Sequence, residues 1–416
     1  MLRIGHAGYG ERPLETAALL DRVAECQGTG VLALQLGSDD VERILGDLLV
    51  PCLAKRVRLA LEVLDGDPLA VLSALTGIAA RLGRRRPRVG VLEGHNLLAT
   101  QLPAVLAALR CDPPPPPGFA LAAAEVELGS EPLLGLIAKG AEILVTGIVA
   151  PSAVPIAFAR HAHRWQADDF DRLAAAACVG RILRAGAASV GGDLDEVVPA
   201  SGLPFADISA DGTARFHATH GGPVRVAGLA LALLDGLAAP TQWVEPDVTV
   251  DLGNAALHGS QLQDIAGGPA AEWIAGRFVF EGGHIGAAEI AYGGGGAAAR
   301  GLAAARDIEM RLAALPGDAR CRVEVVGFDA AAKAAGEQVR DLAVAPGRDV
   351  RVRVAVRGET GLQVEAALAE ARALVRFGPS GGALLHATAA RERRVSATRV
   401  DKVLVSARAT QITGDL

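Results

Sequence analysis

The strongest constraint on the fold is the regular exchange of strand and helix patterns over the first 150 residues. Leu2–Ile4 and Val31–Leu36 read as strands. A helix over Glu15–Cys26 follows the first. A helix over Val41–Leu53 follows the second, with Val41, Ile44, Leu45, Leu48, Leu49 and Cys52 on one face. Helices over Pro68–Leu82 and Leu97–Leu109 flank a strand at Val89–Leu92. Ser130 is placed to cap a helix over Glu131–Lys139, which ends at Gly140 before a strand at Ile143–Val149. Strands that alternate with helices pair in parallel, because each helix carries the chain back to its starting edge. The expectation is an α/β chain: a mostly parallel, doubly wound sheet in a large N-terminal domain, with Val89–Leu92 and Ile143–Val149 near each other.

At 416 residues the chain is too long for one ordinary core. From Pro151 helices over Ala153–Arg164 and Asp169–Ala185, with Asp168 as a cap, precede shorter glycine-rich pieces. From Arg320 the order changes again, with strands at Arg322–Val326, Val350–Val356 and Lys402–Ala407 and a helix at Leu362–Phe377. That order fits a small C-terminal α+β two-layer domain. Leu315-Pro316-Gly317-Asp318-Ala319 marks the boundary, giving an N-terminal domain over 1–315, subdivided near 150, and a C-terminal domain over 316–416. Asp112–Gly118, with five consecutive prolines, is a stiff surface connection.

Composition excludes several classes of function. The net charge of −6 leaves no basic stripe for a phosphate backbone, so no nucleic-acid partner is expected. Five cysteines stand singly without C-x-x-C spacing, which argues against a disulfide framework and a structural zinc site. No apolar run approaches the roughly 20 residues of a membrane span, so no membrane partner is expected and the cytoplasm is the default location. Aromatics are only 3% of the chain, so the cores must be built from Ala, Val and Leu. We also expect a homo-oligomer.

Four segments could carry chemistry. The first loop, Gly5–Pro13, contains Gly8, Tyr9, Gly10, Glu11 and Arg12 as ligand-binding candidates, because glycines let backbone N–H groups approach a ligand at a helix start. Its spacing is not G-x-G-x-x-G, and no acidic residue follows the second strand in the usual ribose-binding place, so a nicotinamide dinucleotide is disfavoured. Glu93-Gly94-His95-Asn96 follows a strand, where open α/β sheets bind ligands. Glu93 and His95 there are acid–base candidates, with Asn96 beside them, or else simply cap the next helix. Gly191-Gly192-Asp193 and Thr219-His220-Gly221-Gly222 pair glycines with polar side chains. They make Asp193 and His220 catalytic candidates and Gly191, Gly192, Thr219, Gly221 and Gly222 ligand-binding candidates; a plain turn is the alternative for each. No metal-ligand spacing is present, and neither metal nor cofactor is expected.

Taken in order, these pieces resemble the acyclic terpene utilisation (AtuA-type) family over essentially the whole chain. The opening Gly8-Tyr9-Gly10-Glu11-Arg12 is similar to that family's glycine–aromatic–glycine–acid–arginine start. Gly140–Gly147 resembles its "GADIVITG" strand, Asp168–Ala174 its "DDWDRLA" helix start, and Gly186–Asp193 its "GAQATGGN" segment. Gly202–Asp207, Asp211-Gly212 and Thr219–Gly222 resemble its "GYPIAEV…DG…GTGG" stretch. Glu245–Val248, Ala288–Tyr292 and Gly378–Gly382 are similar to its "TPDV", "EISY" and "GPAGG". Two departures stand out. Ile148-Val149-Ala150-Pro151 replaces the family's Arg-Val-Ala/Thr-Asp, and Leu92–Leu98 replaces its "NAGGLNP" loop. The resemblance implies an enzyme acting on a branched acyl thioester or related carboxylate by hydration, dehydration or proton transfer. Its partner would be a small acyl molecule, in a pathway that the two departures mark as specialised. A non-catalytic partner subunit that keeps the fold and an NAD-dependent oxidoreductase are the alternatives.

Overall fold

The computed structural model describes residues 1–8, 13–37, 41–81, 87–101, 103–190, 202–235, 241–327 and 349–412. The chain opens with β1 (Leu2–Ala7), α1 (Pro13–Ala24), β2 (Thr29–Leu36), α2 (Val41–Ala54), β3 (Arg58–Val63), α3 (Pro68–Arg81) and β4 (Val89–Glu93). It continues through α4 (Pro103–Ala107), β5 (Cys111–Asp112), β6 (Ala120–Val126), α5 (Glu131–Ala138) and β7 (Ile143–Thr146). Next come α6 (Ala153–His163), α7 (Phe170–Arg184), β8 (Pro204–Ile208), β9 (Ala214–Ala218) and α8 (Val226–Leu234). Short strands β10 (Gln242–Val244), β11 (Thr249–Asp251), β12 (Ala256–His258), β13 (Gln261–Gln263) and β14 (Ala266–Gly268) lead to the long β15 (Trp273–Gly293). The chain ends with α9 (Ala297–Ala313), β16 (Arg320–Val326), β17 (Asp349–Gly358), α10 (Gly361–Phe377), β18 (Gly382–Asp401) and β19 (Arg408–Ile412).

The chain divides into two compact units. The first comprises Met1–Cys111, Ala123–Arg277 and Ala397–Leu416; the second comprises Asp112–Ala122 and Phe278–Ser396. The sequence expects a boundary after Leu315, but that turn joins α9 to β16 inside the second unit.

In the first unit a ten-stranded sheet runs β12-β13-β9-β8-β1-β2-β3-β7-β4-β19. The expected parallel sheet forms its centre, where β1, β2, β3, β7 and β4 pair in parallel; antiparallel strands extend it on both sides. Val89–Leu92 and Ile143–Thr146 are direct neighbours, as expected. Helices cover both faces. Side chains alternate along each strand, so Leu59, Leu61 and Val145 pack under Val71, Leu75 and Ile78 of α3. The opposite face, with Ile4, Ala33, Ala60 and Thr146, lies under α6 and α7. Small residues bring α7 close: a Cβ on Gly180 would lie 2.1 Å from the carbonyl of Pro151.

Several elements differ from expectation for local reasons. Leu97–Leu109 is not one helix but a 3₁₀ turn over Leu97–Ala99 and the short α4, because Pro103 has no N–H and disfavours helix before it. Lys402–Leu404 is a 3₁₀ turn, and the last strand begins only at Arg408, pairing with β4. Asp169 rather than Asp168 takes the N-cap position of α7, with its carboxylate accepting from the Gln166 N–H at 2.8 Å. Ser130 makes no side-chain cap; its own N–H donates to Asp247 instead. Gly5–Ala7, expected in a loop, completes β1.

In the second unit strands run β16-β17-β15-β18, and α9 and α10 cover one face of the sheet. Val350, Val352, Val354 and Val356 of β17 are buried against those helices, whereas Arg351 and Arg353 point away. This is the period of two that a half-buried strand requires. A capping box starts α10: Thr360 Oγ1 accepts from the Gln363 N–H at 3.3 Å, and Gln363 Oε1 accepts from the Thr360 N–H at 3.0 Å. The unit is thus a two-layer α+β structure.

Candidate active site

Adjacent strands β3 and β7 send the chain to opposite faces of the sheet, β3 into α3 and β7 into α6. Such a switch point opens a crevice at the carboxyl ends of the strands. Glu62, next to last in β3, is buried there and fully bonded. Its Oε1 accepts from the Val149 N–H at 3.2 Å, and its Oε2 accepts from Gln35 Nε2 at 2.9 Å and Arg184 Nη2 at 2.8 Å. Arg184, at the end of α7, also donates to the Val149 carbonyl at 3.4 Å. A cavity of about 30 Å³ lies against these groups, walled by His6, Ala60, Glu62, Thr146, Pro151 and Arg184. His6 Nδ1 is buried with no hydrogen-bond partner. Burial, reinforced by the Arg184 charge, pushes the His6 imidazole down to about 3, so it is neutral at any pH near 7.

The segment after β6 lies alongside the end of β7. Leu128 bridges Val149, its N–H donating to the Ile148 carbonyl at 3.3 Å, and the Ala150 N–H donates back to Leu128 at 3.0 Å. Glu127 is therefore placed at the same edge. Its carboxyl is pushed up to about 7, chiefly by burial and then by the Glu245 charge; Arg184 opposes the shift and Glu62 adds to it. Glu245 is itself buried and raised by burial, although Ser152 Oγ at 2.7 Å and Trp243 Nε1 at 2.9 Å both donate to it. A carboxyl that is half ionised at neutrality can both accept and return a proton, and a strongly shifted group makes its neighbourhood a candidate functional site.

Of the residues singled out from sequence, Glu93, His95 and Asn96 come together. They line an open cleft of about 1010 Å³ with Asp67, Glu125 and Arg408. The His95 ring packs against Gly147, where a Cβ would lie 2.0 Å from the imidazole, and burial lowers its pKa. Asn96 takes the capping role, its Oδ1 accepting from the Leu98 N–H at 3.0 Å, which leaves Glu93 and His95 free of it. His220, which the sequence groups with Glu93 and His95, is elsewhere: its Nε2 meets Glu15 Oε2 at 2.9 Å. It follows β9, six strand positions from β4, a separation of roughly 29 Å at the usual strand spacing. Thr219 Oγ1 accepts from the Leu203 N–H at 3.0 Å, and Gly221 and Gly222 follow that turn. Gly8 directly follows β1. Tyr9, Gly10, Glu11, Arg12, Gly191, Gly192 and Asp193 lie outside the described residues.

Sequence reasoning missed Glu62, Glu127 and Arg184, and placed His6 in a loop. One signal was present for Glu127: Glu125 and Glu127 share a face at a spacing of two near the end of an alternating run.

A family model described as acyclic terpene utilisation family protein AtuA matches residues 38–413. The chain belongs to this family. No curated protein and no solved structure matches it. Where this AtuA member departs from the family's strand-end pattern, Ile148 is half-buried and Pro151 walls the small cavity. Polar groups at that edge come from Glu62 and Arg184. Among the described residues no group of three or more His, Cys, Asp or Glu could hold a metal ion, and no helix is long and apolar enough to cross a membrane.

Proposed function

We propose that this AtuA member is an acid–base enzyme acting on a branched acyl thioester or related carboxylate, by proton transfer or by adding or removing water. What supports this reading is the placement of Glu127, next to Leu128 on the segment that lies along Val149, near Glu245 and the Glu62–Arg184 pair, where burial and Glu245 push its carboxyl up to about 7. In this reading Glu127 moves the proton, and Glu62 and Arg184 fix the segment after β7 through Val149. The open cleft with Glu93, His95 and Asn96, which opens at the carboxyl end of β4, takes the bulky remainder of the ligand; a volume of about 1010 Å³ is at the upper end of small-molecule sites.

Ile148 and Pro151 favour a second reading, a partner subunit that keeps the fold without chemistry. The convergence of Glu62, Glu127, Arg184 and Glu245 weighs against it, because buried charges cost stability and a site without a task gains by replacing them with apolar residues. The test is proton exchange in D2O with a panel of branched acyl thioesters. The enzyme reading expects deuterium to enter next to the carbonyl, with Glu127→Gln slower by ~100-fold or more. Absence of exchange, of hydration and of dehydration across the panel supports the subunit reading.

A further inference from the structure

We infer that the small cavity beside His6 binds one oxygen atom of the ligand, the neutral carbonyl oxygen of an acyl thioester, with His6 as its hydrogen-bond donor. The inference rests on the acid–base reading above and narrows its substrate class. At about 30 Å³ the cavity is larger than the ~10–15 Å³ that one water needs and far too small for a side chain or an acyl group. It therefore admits a single small atom or group.

The walls decide which atom. Glu62 already accepts three hydrogen bonds, and the Arg184 Nη2 that faces it is shared between Glu62 and the Val149 carbonyl. Thr146 Oγ1 donates to the Leu61 carbonyl at 3.4 Å. His6 Nδ1 is left: buried, unpartnered and on a strand fixed between β2 and β8. Native proteins seldom leave a buried nitrogen unbonded without a use for it. With its proton on Nδ1, a neutral imidazole donates to an oxygen and does not itself become a competing acid. The Glu62 charge is matched by Arg184, so the cavity carries no surplus positive charge to attract a carboxylate. A carbonyl fits and an anion does not. The chemistry then balances within the site. The proton on the carbon next to the carbonyl passes to the Glu127 carboxylate, the C–H electron pair moves into the carbonyl, and the resulting enolate oxygen is held by His6. Return of the proton restores the thioester.

The first test is a high-resolution crystal structure of the unliganded protein, where one ordered water is expected within hydrogen-bond distance of His6 Nδ1. The second is calorimetry with a ketone analogue of the thioester and its deoxygenated counterpart, on the parent and on His6→Phe. The parent should prefer the ketone by ~10-fold or more, and His6→Phe should lose the preference. Its melting temperature should change little, because an aromatic ring replaces one whose Nδ1 bonds no protein group; if the variant does not fold, His6→Leu serves the same comparison. A dry cavity with His6 bonded inside the protein overturns the inference, as does a ketone preference that survives the substitution. Because binding is read without turnover, a protein that exchanges no proton yet shows the His6-dependent preference refutes the enzyme reading and leaves the oxygen site standing.

Discussion

Replacing Glu127 by Gln should make the protein more stable at alkaline pH while removing its proton-transfer group. In the unfolded chain this carboxyl ionises at its ordinary value of 4.5; in the fold it is pushed up to about 7. Between those values the folded state keeps a proton that the unfolded state has released, so stability falls as pH rises through that window. Below 4.5 both states are protonated and the group contributes nothing. Above 7 both are ionised, and the full difference, about 3 kcal/mol at 1.36 kcal/mol per unit, opposes folding. Gln does not titrate and escapes that cost. Parent and variant should therefore melt together near pH 4 and diverge by about 3 kcal/mol above pH 8, a gap of roughly 5 °C for a unit of this size. Urea or thermal unfolding across that pH range measures it. A difference that does not change with pH, or a variant less stable than the parent at alkaline pH, would refute the claim that burial and Glu245 hold this carboxyl high.

Arg184→Met leaves the buried Glu62 without its counter-charge and should cost about 3 kcal/mol or more, whereas the Glu62→Gln/Arg184→Met double variant should recover most of that; urea titration of the three proteins decides it. Gly147→Ala drives a Cβ to 2.0 Å from the His95 ring. We expect a loss of about 1–3 kcal/mol in thermal melts and a displaced His95 signal by NMR. Glu93 is half-buried and makes no ion pair among the described residues. Glu93→Gln should stay within about 0.5 kcal/mol of the parent in melts while weakening proton exchange on the thioester panel.

How much of this was legible depends on where each signal resides. The strands β2, β4 and β7 were readable because each is a short, largely apolar run, whereas β1 showed only its first half, Leu2–Ile4, because Gly5 and His6 read as loop. β3 was not, because Arg58 and Glu62 break its apolar run, and with it went Glu62 itself. The neighbourhood of β4 and β7 followed from alternation alone, but the insertion of β7 between β3 and β4, which creates the switch point, is a long-range choice. The long β15 is hidden by Gly276, Gly282, Gly283 and Gly286, which mimic loop composition; a Cβ on Gly286 would lie 2.6 Å from Val364, so at least this one serves close packing. Glu93, His95 and Asn96 were visible because a glycine directly after a strand end announces a turn at the sheet's edge. Glu127 was not, because its shift comes from burial and then from Glu245 and Glu62, which are remote in sequence. Arg184 reads locally as a cation favoured by the end of a helix, and only the fold gives it Glu62.

The central claim is that the crevice between the ends of β3 and β7 is the active site. The most direct test is the crystal structure of the protein bound to the non-hydrolysable ketone analogue of a branched acyl thioester. We predict the carbonyl oxygen in the cavity at His6, the adjacent carbon facing Glu127, and the remainder of the ligand in the cleft lined by Glu93, His95 and Asn96. An analogue bound elsewhere on the chain, with the His6 cavity and the Glu62–Arg184 pair undisturbed, would contradict it.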